Sequence, residues 1–306
     1  MMARRTQRGV ALITAMLVVA LATTAAVGLA TRQQVDIQRT GNVLHANQAW
    51  QYALGAEAWA RTILDRDARE TDYDGLDEAW ATELPPVPVT GGSIGGHIED
   101  LQGRLNLNNL VDDEGKVDAV AMGRVQRLLR YLELDPGLAD RIVDWIDADT
   151  RARPRGAEDA VYLGKEAPYQ AANRPLRSIS ELRLVEGVNA EAFQQLKPHV
   201  SALPATTAIN VNTATPAVLA SLDPELEAGR VEAILAARET GAFESLDELA
   251  GLNIDTKALD RLTVSSRYFL GVSEARIGEI RLRLESLLER GEGGQSRVLQ
   301  RSEGMI

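Results

Sequence analysis

The residues of this chain best suited to chemistry are carboxylates. Asp147, Asp149, Glu158 and Asp159 cluster around a loop rich in Arg, Pro and Gly. Oxygen-only ligands on a flexible loop suit calcium. The spacing is not that of an EF-hand, because Arg151 occupies the position of the third ligand. The competing reading pairs Asp147 and Asp149 with Arg151, Arg153 or Arg155, or leaves them facing water. Asp72, Asp74, Asp77 and Glu78 form a second acidic cluster and a second candidate. Catalytic constellations are thin. His45, His97 and His199 are far apart and in no metal-protease spacing, and there is no Gly-x-Ser-x-Gly. The absence of cysteine rules out disulfides, thiolate metal sites and a thiol nucleophile. The chain is therefore read as non-enzymatic.

A second kind of chemistry, peptide cleavage, is suggested at the N-terminus. Arg4, Arg5 and Arg8 precede Gly9, and an uncharged run follows over residues 10–31. As a helix this run measures about 33 Å, enough to cross a bilayer core of roughly 30 Å. A secretory signal would carry a shorter apolar core with a small-residue site beyond it. Here the conspicuous small residue, Gly9, lies on the near side. Cleavage between Gly9 and Val10 would remove a basic leader, residues 1–9, and keep the whole apolar helix. An ordinary membrane anchor is the alternative. The arrangement resembles the class III leader of type IV pilins and pseudopilins, which implies a prepilin peptidase as partner and methylation of Val10. One residue departs from that pattern. Thr14 stands where most such subunits carry a glutamate that pairs with a neighbour's N-terminal amine. A subunit without that carboxylate cannot offer the pair to another above it.

The elements that must position these residues follow from composition and periodicity. The 306 residues suffice for a membrane helix and one or two soluble domains. Net charge is −11, and since residues 1–32 hold four arginines and no acid, the remainder carries −15. So acidic a soluble part argues against nucleic acid as a partner. The basic flank stays cytoplasmic, which places the acidic bulk across the membrane. One long helix is expected over residues 10–67. Its outer half packs on a sheet through Val43, Ala46, Trp50, Ala53, Ala60, Ile63 and Leu64, with Glu57 breaking the stripe. Pro85-Pro86-Val87-Pro88 and the glycine-rich residues 91–96 read as loops. Residues 97–100 and 104–107 read as two short strands of a hairpin or meander. Alternation after residue 262 predicts strands returning to this sheet, and a polar tail over 291–306 is expected to be disordered.

The middle of the chain, residues 116–262, reads as mostly helical and contains a weak internal repeat. Leu105-Asn106-Leu107-Asn108 recurs as Ile209-Asn210-Val211-Asn212. Leu134-Asp135-Pro136-Gly137-Leu138 recurs as Leu222-Asp223-Pro224-Glu225-Leu226. Ser178-Ile179-Ser180-Glu181-Leu182 recurs as Ser245-Leu246-Asp247-Glu248-Leu249. Three blocks in the same order suggest duplication. Each Leu-Asp-Pro block is read as a helix start with Asp as N-cap, and each Ser-x-x-Glu-Leu block as a cap opening a short helix.

The second copy also resembles the tandem helix-hairpin-helix module of membrane-linked competence proteins, which raises DNA binding as the alternative function. The hairpin positions argue against it. Asp223-Pro224-Glu225-Leu226-Glu227 and Gly251-Leu252-Asn253-Ile254-Asp255 set carboxylates where phosphate would sit.

A further run is more specific: Asp144-Trp145-Ile146-Asp147-Ala148-Asp149, Gly156-Ala157-Glu158-Asp159, Tyr162, Pro168-Tyr169 and Ala172-Asn173-Arg174-Pro175-Leu176. With the Arg-Gly leader and the missing glutamate, it resembles the K-type minor pseudopilins of the type II secretion system. The resemblance implies an α+β, pilin-like fold: a long N-terminal helix packed on an antiparallel sheet, with a large helical domain inserted between strands. The segments are then the leader (1–9), the transmembrane half-helix (10–31), the first part of the pilin-like domain (32–115), the insertion (116–262), the returning strands (263–290) and the tail (291–306). It also implies calcium binding, I-type and J-type minor pseudopilins as partners at the tip of a pseudopilus, and a single-pass place in a bacterial inner membrane with the soluble part in the periplasm.

Overall fold

Absence of proline and a continuous apolar run favour one uninterrupted helix at the N-terminus. In the computed structural model that helix is α1 (Gln7–Glu70). The structure describes residues 7–305 other than 205, 225, 227, 253, 255–260 and 292, with side chains over 10–304. Residues 10–40 of α1 are exposed on every side, and its most apolar window has a mean hydropathy of 2.4. The helix is thus long and apolar enough to cross a bilayer. The hydroxyl of Thr14 donates back to Val10 O (3.1 Å) and Ala11 O (3.0 Å), so this polar group is satisfied within its own helix.

The outer part of α1 meets the sheet through Ala49, Ala53, Ala60 and Leu64, buried at helical spacing, and the three alanines let the strands approach closely. Val43, expected in that stripe, is exposed, because the sheet first reaches the helix near Ala49. Glu57 is buried in the stripe. It accepts from Ser286 Oγ (2.6 Å) and from Arg301 Nε (2.6 Å) and Nη2 (2.8 Å). Burial alone would raise its pKa, but these donors outweigh burial and lower it.

The sheet is built from β1 (Leu84–Val89) and β2 (Gly92–Asp100) before the insertion. Within the insertion lie β3 (Leu105–Asn106), α2 (Ala119–Tyr131), α3 (Leu138–Ile146), α4 (Asp159–Tyr162), α5 (Ala190–Leu196), β4 (Val200–Ser201), β5 (Ile209–Asn210), α6 (Pro216–Leu222), α7 (Ala228–Thr240) and β6 (Leu262–Thr263). Then come β7 (Tyr268–Ile277), β8 (Ile280–Arg290) and β9 (Ser296–Met305). The order β1-β2-β7-β8-β9 is antiparallel throughout. Chain enters the insertion after Asp100 and returns at Tyr268, next to each other in the β2–β7 ladder, and Leu101 N–H donates to Tyr268 O (3.0 Å) to close the neck. A domain can be inserted there because its two ends are already neighbours.

Several expectations need correction. The proline and glycine segments are edge strand β1 and strand β2. Proline is tolerated at an edge, and at Gly92 a Cβ would lie 1.7 Å from Arg276 O, so only glycine lets these strands close. Leu105-Asn106 does not pair with β2. It runs parallel to Val200-Ser201, inside the insertion, and Leu262-Thr263 pairs parallel with Ile209-Asn210. Both domain boundaries therefore shift outward, to the neck. Residues 296–305 of the tail form a strand: β9 pairs along β8, with Arg301 on Glu57, Arg297 Nε on Glu289 Oε2 (2.6 Å) and Ser296 N–H on Asp65 Oδ1 (2.6 Å). Polar composition suggested disorder, but the open edge of β8 supplies the backbone partners.

The repeat is visible in three dimensions. Asn108 Nδ2 donates to Leu176 O and Leu203 O while its Oδ1 accepts from Leu176 N–H. Asn212 does the same with Phe243 O, Val264 O and Phe243 N–H. Ser178 and Glu181 form a capping box, and Glu248 Oε1 accepts from Ser245 N–H and Glu244 N–H. The Leu-Asp-Pro blocks are not N-caps. Asp135 Oδ1 accepts from Gly137 N–H in a turn ahead of α3, and Asp223 ends α6. Both copies share one core that includes Leu128, Ile142, Leu182, Val218 and Leu249.

Candidate metal centre

The first copy carries a loop between α3 and Leu176 that the second lacks, since α7 passes almost directly to Phe243. Helix α3 sets its start. Leu138, Ala139, Ile142, Val143, Trp145 and Ile146 bury that helix in the core, and Asp147 caps it with N–H to Val143 O at 2.8 Å. Asp144, one turn back, is fully buried and accepts Arg153 N–H (3.1 Å to Oδ2). Gly156 lies against that carboxylate, where a Cβ would fall 1.8 Å from Asp144 Oδ2. The loop can fold back over α3 only because residue 156 has no side chain, and this brings Glu158 beside Asp147.

One carboxylate oxygen from each of Asp147, Asp149 and Glu158 lies within 4.8 Å of the other two, the span two ligands about 2.4 Å from one ion can cover. Asp147 and Glu158 are buried while Asp149 is exposed. Asp159 does not join them. It lies in the first turn of α4, and its carboxylate accepts from Ala171 N–H (2.9 Å) and Gln170 Nε2 (3.4 Å), anchoring the returning chain. Two of the three arginines that could have neutralised the group are directed elsewhere. Arg153 Nε (2.8 Å) and Arg155 Nε (3.4 Å) pair with Asp140, and Asp149 accepts the backbone N–H of Arg151.

The electrostatic result is a concentrated negative site. Asp147 Oδ1, both oxygens of Glu158 and Asn173 Oδ1 are buried with no hydrogen-bond partner among the described residues. Burial, then the charges of Asp149 and Asp144, pushes Asp147 up to about 6. Burial, then Asp144 and Asp147, pushes Glu158 up to about 7. Asn173 has φ 45°, donates its N–H to Trp145 O (3.0 Å), and lines the same cleft of about 540 Å³ as Asp147. Its role was missed in the sequence. The signal the sequence offers is an Asn, a residue that tolerates the left-handed conformation, ahead of Arg-Pro. Behind the loop, Trp145 packs edge-on to Tyr162 at 5.1 Å, and Tyr162 stacks on Tyr169 at 5.4 Å. Buried acceptor oxygens without donors, with no nitrogen or sulfur in the set, fit a hard divalent cation.

The second acidic cluster assembles differently from its expectation. Asp74 and Glu78 come together with Asp67 from the end of α1. Asp72 is exposed, and Asp77 instead accepts Ala242 N–H at 3.3 Å.

Comparison with known proteins agrees with this architecture. Residues 103–205 and residues 209–265, one repeat copy each, match two family models described as type II secretion system (T2SS), protein K. Type II secretion system protein K of Pseudomonas aeruginosa is 42% identical over 98% of this chain and 94% of that protein. The Klebsiella pneumoniae protein K is 35% identical over 98% of this chain and 97% of its own length. This chain belongs to the type II secretion system protein K family. A chain in the crystal structure of the GspK-GspI-GspJ complex from the enterotoxigenic Escherichia coli type 2 secretion system matches with a TM-score of 0.77 and 29% identity. The match covers 87% of this chain and 99% of that one. The protein K assignment makes the chain a minor pseudopilin, with the long helix on an antiparallel sheet that the resemblance implied, and the apolar α1 fits a single-pass anchor. The DNA-binding alternative receives no support, because its module falls within the second protein K match. Of its hairpin positions, Glu225, Glu227, Asn253 and Asp255 lie outside the described residues.

Proposed function

We propose that this protein caps the tip of a periplasmic pseudopilus, with I-type and J-type minor pseudopilins as its neighbours, and helps initiate assembly for export of folded proteins across the outer membrane. The observation that carries this reading is the helical domain inserted at the β2–β7 neck, residues 101–267. So bulky a lateral domain cannot repeat around a tightly packed helical fibre, and at the distal end it meets no subunit above. Thr14 supports the same place, since its hydroxyl is turned back on its own helix and offers no carboxylate to a following subunit. The solved complex with GspI and GspJ, at 29% identity to one of its chains, supports the choice of partners.

In this reading prepilin peptidase cuts between Gly9 and Val10 at the inner membrane, Val10 is methylated, and the soluble part stands in the periplasm. Asp147, Asp149 and Glu158 hold calcium, with Asn173 Oδ1 as a further buried oxygen on that cleft. Bound calcium supplies the positive charge that these oxygens otherwise lack. The role is structural, pinning the loop of the first repeat, and no catalytic step is assigned. Imaging of pseudopili with this protein labelled tests the tip placement. Label at one end is expected, and regular label along the shaft would overturn it.

A further inference from the structure

We infer a second divalent-cation site, formed by Asp67, Asp74 and Glu78, at the neck where α1, the sheet and the inserted domain meet. It shares no residue with the loop site and stands or falls separately from it. One oxygen of each of the three carboxylates lies within 4.8 Å of the others. Asp74 is 0% exposed and Asp67 6%. Asp74 Oδ2 accepts Ser266 N–H (2.6 Å) and pairs with Arg290, whereas Asp74 Oδ1 is buried with no hydrogen-bond partner among the described residues. Arg290 Nη1 also reaches Asp67 Oδ2 at 3.2 Å. Three carboxylates against this one guanidinium leave an excess of two negative charges in a largely dry place, and a divalent cation cancels that excess.

Glu78 is already oriented. It accepts from Thr71 Oγ1 (2.7 Å), Gly75 N–H (2.8 Å) and Trp80 Nε1 (3.1 Å), a degree of fixation that prepares a ligand before the ion arrives. The ligands are all oxygen, and two of them lie on the loop after α1, which suits calcium. The position has a consequence for the fold. Asp74 O accepts Asn210 Nδ2 (3.0 Å), and Ser266, bonded to Asp74, also donates to Asp100 Oδ2 (2.6 Å) at the end of β2. An ion on Asp74 therefore fixes the end of α1 relative to both chain crossings into the inserted domain. A proton shared between Asp67 and Asp74 would relieve part of the same charge, and the test separates the two.

The full-length chain in detergent micelles is titrated with calcium at pH 8 by calorimetry, and with Tb³⁺ read by tryptophan-sensitised emission. The parent is expected to bind two calcium ions. Glu78→Gln and Asp67→Asn each lose one. Asp147→Asn with Glu158→Gln loses the other, and in that background Trp80→Phe lowers the remaining Tb³⁺ emission several-fold, because Trp80 touches Glu78 whereas Trp59, the other tryptophan beside it, does not. Should the loop double variant fail to fold, the stoichiometry of Glu78→Gln in the parent decides alone. A parent that binds one ion, lost with Glu78→Gln but kept by the loop variant, leaves the neck site standing and removes the loop reading. Unchanged stoichiometry in Glu78→Gln and Asp67→Asn overturns the neck site, as a shared proton would produce. A folded loop variant that binds no ion overturns it as well.

Discussion

Protons and calcium compete for the same oxygens in the loop of the first repeat. Without metal, burial and neighbouring carboxylates hold Asp147 at about 6 and Glu158 at about 7. Both shifts are upward. At pH 8 both groups are ionised and ready to bind, whereas at pH 6 Glu158 is mostly protonated and Asp147 about half so. With the two taken as independent, calcium affinity falls about twenty-fold between pH 8 and pH 6. The same arithmetic releases about one proton per ion bound near pH 6.5 and about a tenth of that at pH 8. The sign for stability follows. Folded-state values raised above the unfolded carboxylate range mean that the metal-free fold loses stability as pH rises through 6 and 7, and calcium restores it. The assay is calorimetry in two buffers of different ionisation enthalpy at each pH, on the Glu78→Gln variant so that the neck does not contribute. Equal affinity at pH 6 and pH 8, with no proton release at pH 6.5, would refute Asp147 and Glu158 as ligands.

Gly156→Ala forces a Cβ onto Asp144, so calorimetry is expected to show calcium binding weakened about ten-fold or more, while Gly164→Ala, with 3.5 Å to its nearest neighbour, binds normally. Asn212→Ala strips three backbone groups, two of them buried, of their partner and is expected to cost roughly 2–4 kcal/mol in denaturant unfolding, with Asn108→Ala similar in the first copy. Arg290→Met leaves Asp67 and Asp74 buried without their cation and is expected to cost about 3–5 kcal/mol at pH 8. In metal-free protein that deficit should shrink as pH falls through the values of about 7 and 6 at which Asp67 and Asp74 take up protons. Gly9→Leu is expected to leave the basic leader attached, read as the intact N-terminus by mass spectrometry.

Sequence alone determined what depends on local pattern. An uncharged run after three arginines can only be a long apolar helix, and proline-free residues beyond it continue that helix to Glu70. The repeat is legible because Asn108 and Asn212 each satisfy the same trio of backbone groups, so the short Asn and Ser-x-x-Glu-Leu patterns recur in the same order in both copies, although the first copy's extra loop changes the spacing between them. Asp147, Asp149 and Glu158 come together in the fold, as their short chain separation allows. What depends on distant partners was not legible. β9 looked like disorder because the edge of β8 that orders it is invisible in its own composition. Asp67 was overlooked beside Asp74 and Glu78 because it belongs to α1 and reaches them only after the chain turns. By residue type alone Asp159 is as good a ligand as its neighbour Glu158, and only folding decides which carboxylate meets Ala171 N–H and which faces Asp147. Local pattern specifies helices, caps and turns, since their partners lie within a few residues. Which charges share a buried space is set by long-range packing, and here that packing decides where a cation would be needed.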